Sequence, residues 1–443
     1  MPDNISAKLL ERIQNDFSSD KTNIMRMNAV SKVGIDEASL SRNEYSENPM
    51  VFSIEIETGK ITNQEHSGRC WLFAALNTLR LEIMRKLNLE TFELSQAWMM
   101  FWDKLEKSNY FLESILETFD EPVDGRVIAH LLSGPVQDGG QWDMFCALAD
   151  KYGVVPKGVY HESFNSANTQ RMDWILTAKL REWAQVLRKE HEDGKSDEKL
   201  RNIKEEMLSE VYRILCVSLG EPPKSFNFEA RDKDKKFIQD LEITPKAFFD
   251  KYVGVSLSDY ISVINAPTKD KPYYRTFTVG LLGNVKGGRS VKYLNLPVDE
   301  QKALAIAQLK DNEPVWFGCD VGKLLDRKTG IMGMKNFDYG ASLGITLGQD
   351  KASRLDFGQS LMTHAMVLLG VNLADGKPTR WKVENSWGKD SGQDGYYLMT
   401  DEWFSEYNYQ IVVHKKYLSE KQLAAWETEP IVLKPWDPMG SLA

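Results

Sequence analysis

Residues 64–87 read QEHSGRCWLFAALNTLRLEIMRKL. The pair Ser67-Gly68 favours a turn, and the residues from Cys70 onward are apolar at helical spacing with no Gly or Pro. That pattern predicts a largely buried helix from about Cys70 to about Leu87. A cysteine at the head of such a helix faces unpaired N–H groups and the positive end of the macrodipole, and both favour a thiolate. The thiolate is the form of cysteine that attacks a carbonyl. Taken alone, though, a Cys before an apolar helix reads as a core residue, because Cys is among the most buried residue types.

A nucleophile of this kind needs a base from elsewhere in the chain. There are six histidines. His191 lies in a charged link. His130 and His161 have no polar motif beside them. His66 precedes Cys70 by four residues, a spacing a metal pair could use, but no third ligand is in view. His364 opens an apolar run, THAMVLLGV, and the next strand-like stretch leads to Asn385 in ENSWG. An Asn side-chain oxygen can accept the histidine N–H and fix its tautomer, while Trp387 can shield that bond from water. Gln64, six residues before Cys70, carries an amide that can donate to a developing oxyanion alongside the Cys70 N–H. Each of these residues also has an ordinary reading, as a strand-end histidine or a solvated glutamine.

The totals bound the possibilities. At 443 residues the chain exceeds one domain of roughly 100–200 residues, so a large domain with insertions or two lobes is expected. Its 55 basic and 64 acidic residues give a net charge of −9, which weighs against nucleic acid or an anionic membrane as a partner. The cysteines at 70, 146, 216 and 319 are scattered, without a CxxC pair, so neither a disulfide framework nor a zinc knuckle is expected. No signal-like segment or membrane-length apolar run is read, and a reducing cytoplasm is the expected location.

Along the chain, 4–16 predicts a short helix capped by Asn4 or Ser6, and 20–60 gives few clear signals. Residues 95–118 and 141–152 predict helices, with Gly139-Gly140 breaking the chain between them. From 169 to 217 two long amphipathic helices flank HEDGKSDEK. Beyond 270 the reading turns to strands: YRTFTVGL, VKYLNL, PVWFGCDV, AMVLLGVNL, TRWKVEN, GYYLMT and YQIVVHK. LLGNVKGGRS (281–290) lacks the Lys-Ser/Thr of a phosphate loop and reads as a turn between strands. RDKDKK (231–236) reads as a solvated face. The tail ETEPIVLKPWDPMGSLA has too much proline for a helix and is too apolar to float free, so an extended arm over the surface is expected.

Together, QEHSGRCW, THAMVLLGV and ENSWGKDSGQDGYY resemble the papain-like cysteine peptidases in residue type, order and spacing. LSQAWMMFWDKLEKSNYFLE, DGGQWDMFCALADKYGVVPK and WDPMGSLA resemble the bleomycin hydrolase and aminopeptidase C branch, nearly end to end. Ser67 stands where secreted papain-type enzymes carry a further Cys. Only 69 residues precede Cys70, few for a signal plus a prosegment.

The resemblance implies an α+β, papain-like, two-lobed fold with a helical insertion and an extended C-terminal arm. Its expected parts are 1–60 packing on the β lobe, 61–168 as the helical lobe, 169–265 as a helical insertion for oligomerisation, 266–416 as the β lobe, and 417–443 as an arm reaching the active site. It implies Cys70 as nucleophile, His364 as base, Asn385 as orienting amide, Gln64 as oxyanion donor and Trp387 as shield. Gly139 and Gly140 are implied as the glycine pair beside which substrate backbone runs, and the Ala443 carboxylate as a partner for the substrate's ammonium. No metal or cofactor is implied. The implied activity is a thiol aminopeptidase acting on peptides with a free N-terminus, as a cytoplasmic homohexamer. The alternatives are an endopeptidase on the same scaffold, a Cys-His-Asn/Asp acyltransferase, and a non-catalytic assembly or nucleic-acid-associated protein.

Overall fold

In a computed structural model, which describes residues 4–443, the Cys70–Lys86 helix is the central piece. Twelve of its residues are buried, from Cys70 to Ile83. It is enclosed by the Gln96–Leu116 and Trp142–Tyr152 helices on one side and by the strand His364–Ala374 on the other. The flat apolar pattern of 70–87, greasy on all faces, is what a helix sandwiched between two layers requires.

The second layer is one mixed sheet. From one edge its strands run Ile431–Leu433, Arg275–Val279, Tyr293–Asn295, Tyr260–Ile264, Asn408–His414, Val315–Cys319, His364–Ala374, Lys377–Glu384, Tyr396–Thr400, Ile331–Met332 and Leu325–Asp326. Ile54–Glu55 pairs with His364–Ala374 as well. Its long central strands are antiparallel, and every strand read from the sequence beyond 270 belongs to it. The architecture is α+β, with a helical lobe on a β lobe and the Cys70–Lys86 helix at the seam.

Several expectations need adjusting. Residues 20–60, which gave few signals, carry the helices Lys21–Val33, Ile35–Ser39 and Arg42–Glu47 before Ile54–Glu55 joins the sheet. The first helix runs Ala7–Ser19, capped by Ser6 rather than Asn4. The interval 169–265 is not all helical. After Gln170–Glu192 and Asp197–Leu219 comes a hairpin, Phe226–Arg231 with Phe237–Ile243, whose turn is 232–236, within the charged stretch 231–236. The main sheet resumes at Tyr260, inside that interval. Alternation in FNFEAR and FIQDLEI was the missed signal, interrupted by a register shift between Phe226 and Phe228. Residues 281–290 join two antiparallel strands, but as a long loop that dips inward: Asn284 is buried and donates to Asp103 Oδ1 and the Met144 carbonyl.

The arm leaves the Glu420–Trp426 helix, adds Ile431–Leu433 to the sheet edge in parallel with Phe277–Val279, and continues over the surface. Trp436 lies under the Arg126 guanidinium, 4.0 Å from ring centre to Cζ. Asp437 pairs with the buried Lys271 at 2.9 Å, and the Tyr293 hydroxyl donates to the Met439 carbonyl. Met439 and Ala443 are buried at its end.

Candidate active site

Helix, strand and loop converge at the seam. Cys70 is the first residue of its helix, preceded by Arg69, whose guanidinium is held by Glu162 at 2.9 Å and by the Ser67 hydroxyl. His364 is the first residue of its strand, and the backbone N–H of the next residue, Ala365, faces the Cys70 thiol. Asn385 follows the last residue of the neighbouring strand, Lys377–Glu384. Two strand ends and a helix start meet at one point, which is why residues so far apart in sequence can share a site.

The His364 ring is fixed by this geometry. Its Nε2 lies 2.9 Å from Asn385 Oδ1, and that oxygen also accepts the Ser386 N–H at 2.8 Å. An atom accepting from a backbone N–H is the amide oxygen, so Nε2 carries the proton and donates it. Nδ1 is thereby left as the basic nitrogen. Trp387 packs on the imidazole with ring centres 4.9 Å apart. The Asn385 Nδ2 group is buried without a hydrogen-bond partner.

Behind Asn385 is a second anchor. Glu384 and Arg80 form a buried ion pair at 2.8 Å, each 1% exposed, and Glu384 also accepts from Asn77 and Thr58. The pair locks the strand that ends at Glu384, just before Asn385, to the helix that begins at Cys70.

Gln64 is buried and clamped at both ends of its amide. Its Nε2 donates to the Ser67 carbonyl at 2.5 Å, and its Oε1 accepts from the Ser386 hydroxyl at 2.6 Å. An amide nitrogen has two hydrogens, so one remains for another acceptor.

Gly139 and Gly140 form the opposite wall, and Ala443 lies against them. The Gly140 N–H donates to an oxygen of the Ala443 carboxylate at 3.2 Å, and the Ala443 N–H donates to the Gly140 carbonyl at 3.3 Å. A Cβ at Gly139 would sit 2.7 Å from the Ala443 oxygen, and one at Gly140 would sit 2.5 Å from the Trp71 ring. Both positions therefore exclude a side chain. Gln141 donates to the Ser441 carbonyl, and Ser441 to the Met362 carbonyl, so the arm is held along the cleft. Beside it lies a cavity of about 280 Å³, lined in part by Lys107, His130, Leu281, Ser441 and Leu442.

Sequence reasoning missed Asp138 and Lys104. Asp138 accepts the Gly68 N–H at 2.8 Å and the Lys104 ammonium at 2.6 Å, and its carbonyl accepts the Trp71 indole N–H. Lys104 holds the Asp138 carboxyl well below the usual carboxylate range in spite of burial. Asp138 thus ties the loop before Cys70 to the glycine pair. An acidic residue directly before Gly139-Gly140 was the available signal. Its partner Lys104, on a helix full of aromatics, offered none.

Electrostatically, burial dominates. It pushes the Cys70 thiol up to about 11, against which the Ala365 and Trp71 N–H groups pull only partly. It pushes His364 down to about 4, with Asn385 opposing and Arg327 adding to the fall. Both shifts have the sense that burial gives, disfavouring the charged form of each group. No group of three or more metal-ligating side chains occurs among the described residues. No described helix is long and apolar enough to cross a membrane.

Known proteins bear on this arrangement. The Peptidase C1-like family matches residues 4–440. Aminopeptidase C of Streptococcus thermophilus is 51% identical over 440 residues, covering 99% of each chain. Aminopeptidase C of Listeria monocytogenes is 48% identical over 443 residues, covering 100% of each. Bleomycin hydrolase of Gallus gallus is 45% identical over 417 residues, 92% of each. The crystal structure of PepW from Lactobacillus rhamnosis superposes with a TM-score of 0.99 at 48% identity over the whole of both chains. The chain belongs to the Peptidase C1-like family, in the aminopeptidase C and bleomycin hydrolase branch of the papain-like cysteine peptidases.

Proposed function

We propose that this enzyme, a cysteine-type aminopeptidase, releases N-terminal residues from peptides by a Cys-His-Asn acyl-enzyme mechanism. The observation that carries the reading is the seating of Ala443 on Gly140, in the same cleft as Cys70, His364 and Asn385. On this reading the arm occupies the acyl side of that cleft, where Ala443 lies against Gly140, and so limits how much chain can extend beyond the N-terminal residue. The substrate's ammonium pairs with the Ala443 carboxylate, in a setting where water screens the attraction poorly.

In the reaction, Nδ1 of His364 accepts the Cys70 proton as the sulfur adds to the scissile carbonyl, forming a C–S bond and an oxyanion. The free Gln64 N–H and the Cys70 N–H stabilise that oxyanion, each contributing about 3 kcal/mol. The imidazolium then protonates the leaving amine as the C–N bond breaks. A water molecule, deprotonated by His364, cleaves the thioester, and the free amino acid leaves. Asn385 holds the ring through both steps, and Trp387 keeps water from the His–Asn bond.

Deleting Met439–Ala443 tests the arm. The expected result is loss of selectivity for a free N-terminus and a gain of cleavage at internal bonds. An unchanged product pattern in the deletion variant contradicts the proposal. A cytoplasmic homohexamer is part of the same reading. Self-association is supported by Leu10, Ile13 and Phe17, which the first helix leaves exposed at 44–45%. Light scattering on the purified protein tests it, and a monomer at micromolar concentration would contradict it.

A further inference from the structure

We propose that Arg327 recognises a carboxylate on the leaving portion of the substrate. The inference rests on the aminopeptidase reading and adds the class of peptide that the enzyme favours.

Two sides of the cleft are distinguishable. The arm and the Gly139-Gly140 wall hold the acyl side. His364, which protonates the departing amine, faces the leaving side, and Trp387 extends that side outward from the imidazole. Arg327, in the turn between Leu325–Asp326 and Ile331–Met332, stacks on the outer part of this unit with Cζ 4.8 Å from the Trp387 ring centre. Its charge is felt at His364. One indole ring thus separates the guanidinium from the reacting imidazole, a span that the first or second residue beyond the scissile bond can cover.

Arg327 is exposed, and among the described residues no carboxylate pairs with it. The acidic residue nearest in sequence, Asp326, is occupied by the Lys328 N–H and the Thr329 hydroxyl. Lys328 and Lys389 are also exposed, and Lys389 stands two residues after Trp387, whereas Asp390 and Asp394 are the acidic groups of that loop. A stacked guanidinium keeps its fork of donors in place, and that fork matches a carboxylate. Stacking on Trp387 restricts the side chain before substrate arrives, which reduces the ordering cost on binding. The carboxylate has two sources. It is either the free C-terminus of a short peptide or an acidic side chain.

The test uses four probes with one N-terminal residue: Ala-Ala, Ala-Ala-amide, Ala-Asp-amide and Ala-Lys-amide. Wild-type kcat/KM for Ala-Ala or Ala-Asp-amide should exceed that for Ala-Ala-amide, with Ala-Lys-amide lowest. In Arg327→Gln the ratio of carboxylate-bearing to neutral probe should fall about fivefold, and in Arg327→Glu the Ala-Lys-amide probe should overtake the carboxylate probes. A ratio that falls only for Ala-Ala identifies the terminal carboxylate, and one that falls only for Ala-Asp-amide identifies the side chain. Ratios unchanged in Arg327→Glu overturn the proposal. Should the aminopeptidase reading itself be wrong, wild-type enzyme would release alanine from none of the four probes, an outcome distinct from unchanged ratios.

Discussion

At Asn385 a single amide oxygen does two jobs, accepting from the Ser386 backbone and from His364. Replacing Asn385 with Ala removes one neutral hydrogen bond from the ring, worth about 1.4 kcal/mol, and should lower kcat about tenfold with KM little changed. Steady-state kinetics on an aminoacyl amide checks this. In the proposed oxyanion role of Gln64, Gln64→Ala removes a donor to developing charge and should lower kcat by about 100-fold or more, again with KM nearly constant. A Gln64→Ala enzyme that weakens KM instead would mark the residue as a substrate binder. The perturbed pair also predicts how stability follows pH. His364 is pushed to about 4 when folded, against an ordinary value of about 6.5. The unfolded chain therefore binds the extra proton between those values, and stability falls as pH drops through that window, by up to about 3 kcal/mol. Cys70, raised to about 11, has the opposite sense. The unfolded thiol ionises first, so stability falls as pH rises from about 9 toward 11. Urea midpoints at pH 5 and 7 should differ less in His364→Gln than in the wild type.

At the scale of elements, the Glu384–Arg80 pair is the joint that sets strand end against helix start. Both charges are buried, so Glu384→Ala strands a guanidinium and should cost about 3–5 kcal/mol, read as a lower urea midpoint. Activity should recover only in part when Arg80 is made Met as well, because the joint is gone although the stray charge is removed. The elements of the site were legible from local pattern. The all-round apolar run after Cys70 specified a buried helix, and the continuous apolar run after His364 and the alternating run before Asn385 specified strands. What brought them together was not legible locally, since pairing of Met366 with Phe317 and of Val367 with Glu384 spans long separations. The four scattered roles came from resemblance in order and spacing. The hairpin at 226–243 escaped because its bulge breaks the alternation, and the helices at 21–47 because they bury almost nothing within this chain, leaving no apolar stripe to read.

For the whole molecule, the arm is the organising device. It starts as an edge strand beside Phe277, is pinned by Lys271 and Tyr293, and ends paired with Gly140. These anchors are distributed, so losing one should loosen the arm without unfolding it. Lys271→Ala removes the Asp437 partner and should raise hydrolysis of N-terminally blocked peptides while leaving the melting temperature within a few degrees. An arm that leaves the cleft also admits water, which lowers the Cys70 thiol toward its ordinary value and raises His364. Iodoacetamide should therefore inactivate the arm-deleted enzyme faster at pH 7 than the wild type. The central claim is that Cys70 acts on N-terminal residues because Ala443 closes the acyl side of its cleft. The most direct measurement compares release of a fluorophore from an aminoacyl amide with release from its N-acetylated form, each before and after alkylation of Cys70. The account predicts hydrolysis of the free-amine substrate alone, abolished by alkylation. Equal turnover of the acetylated substrate, or activity that survives alkylation, would contradict it.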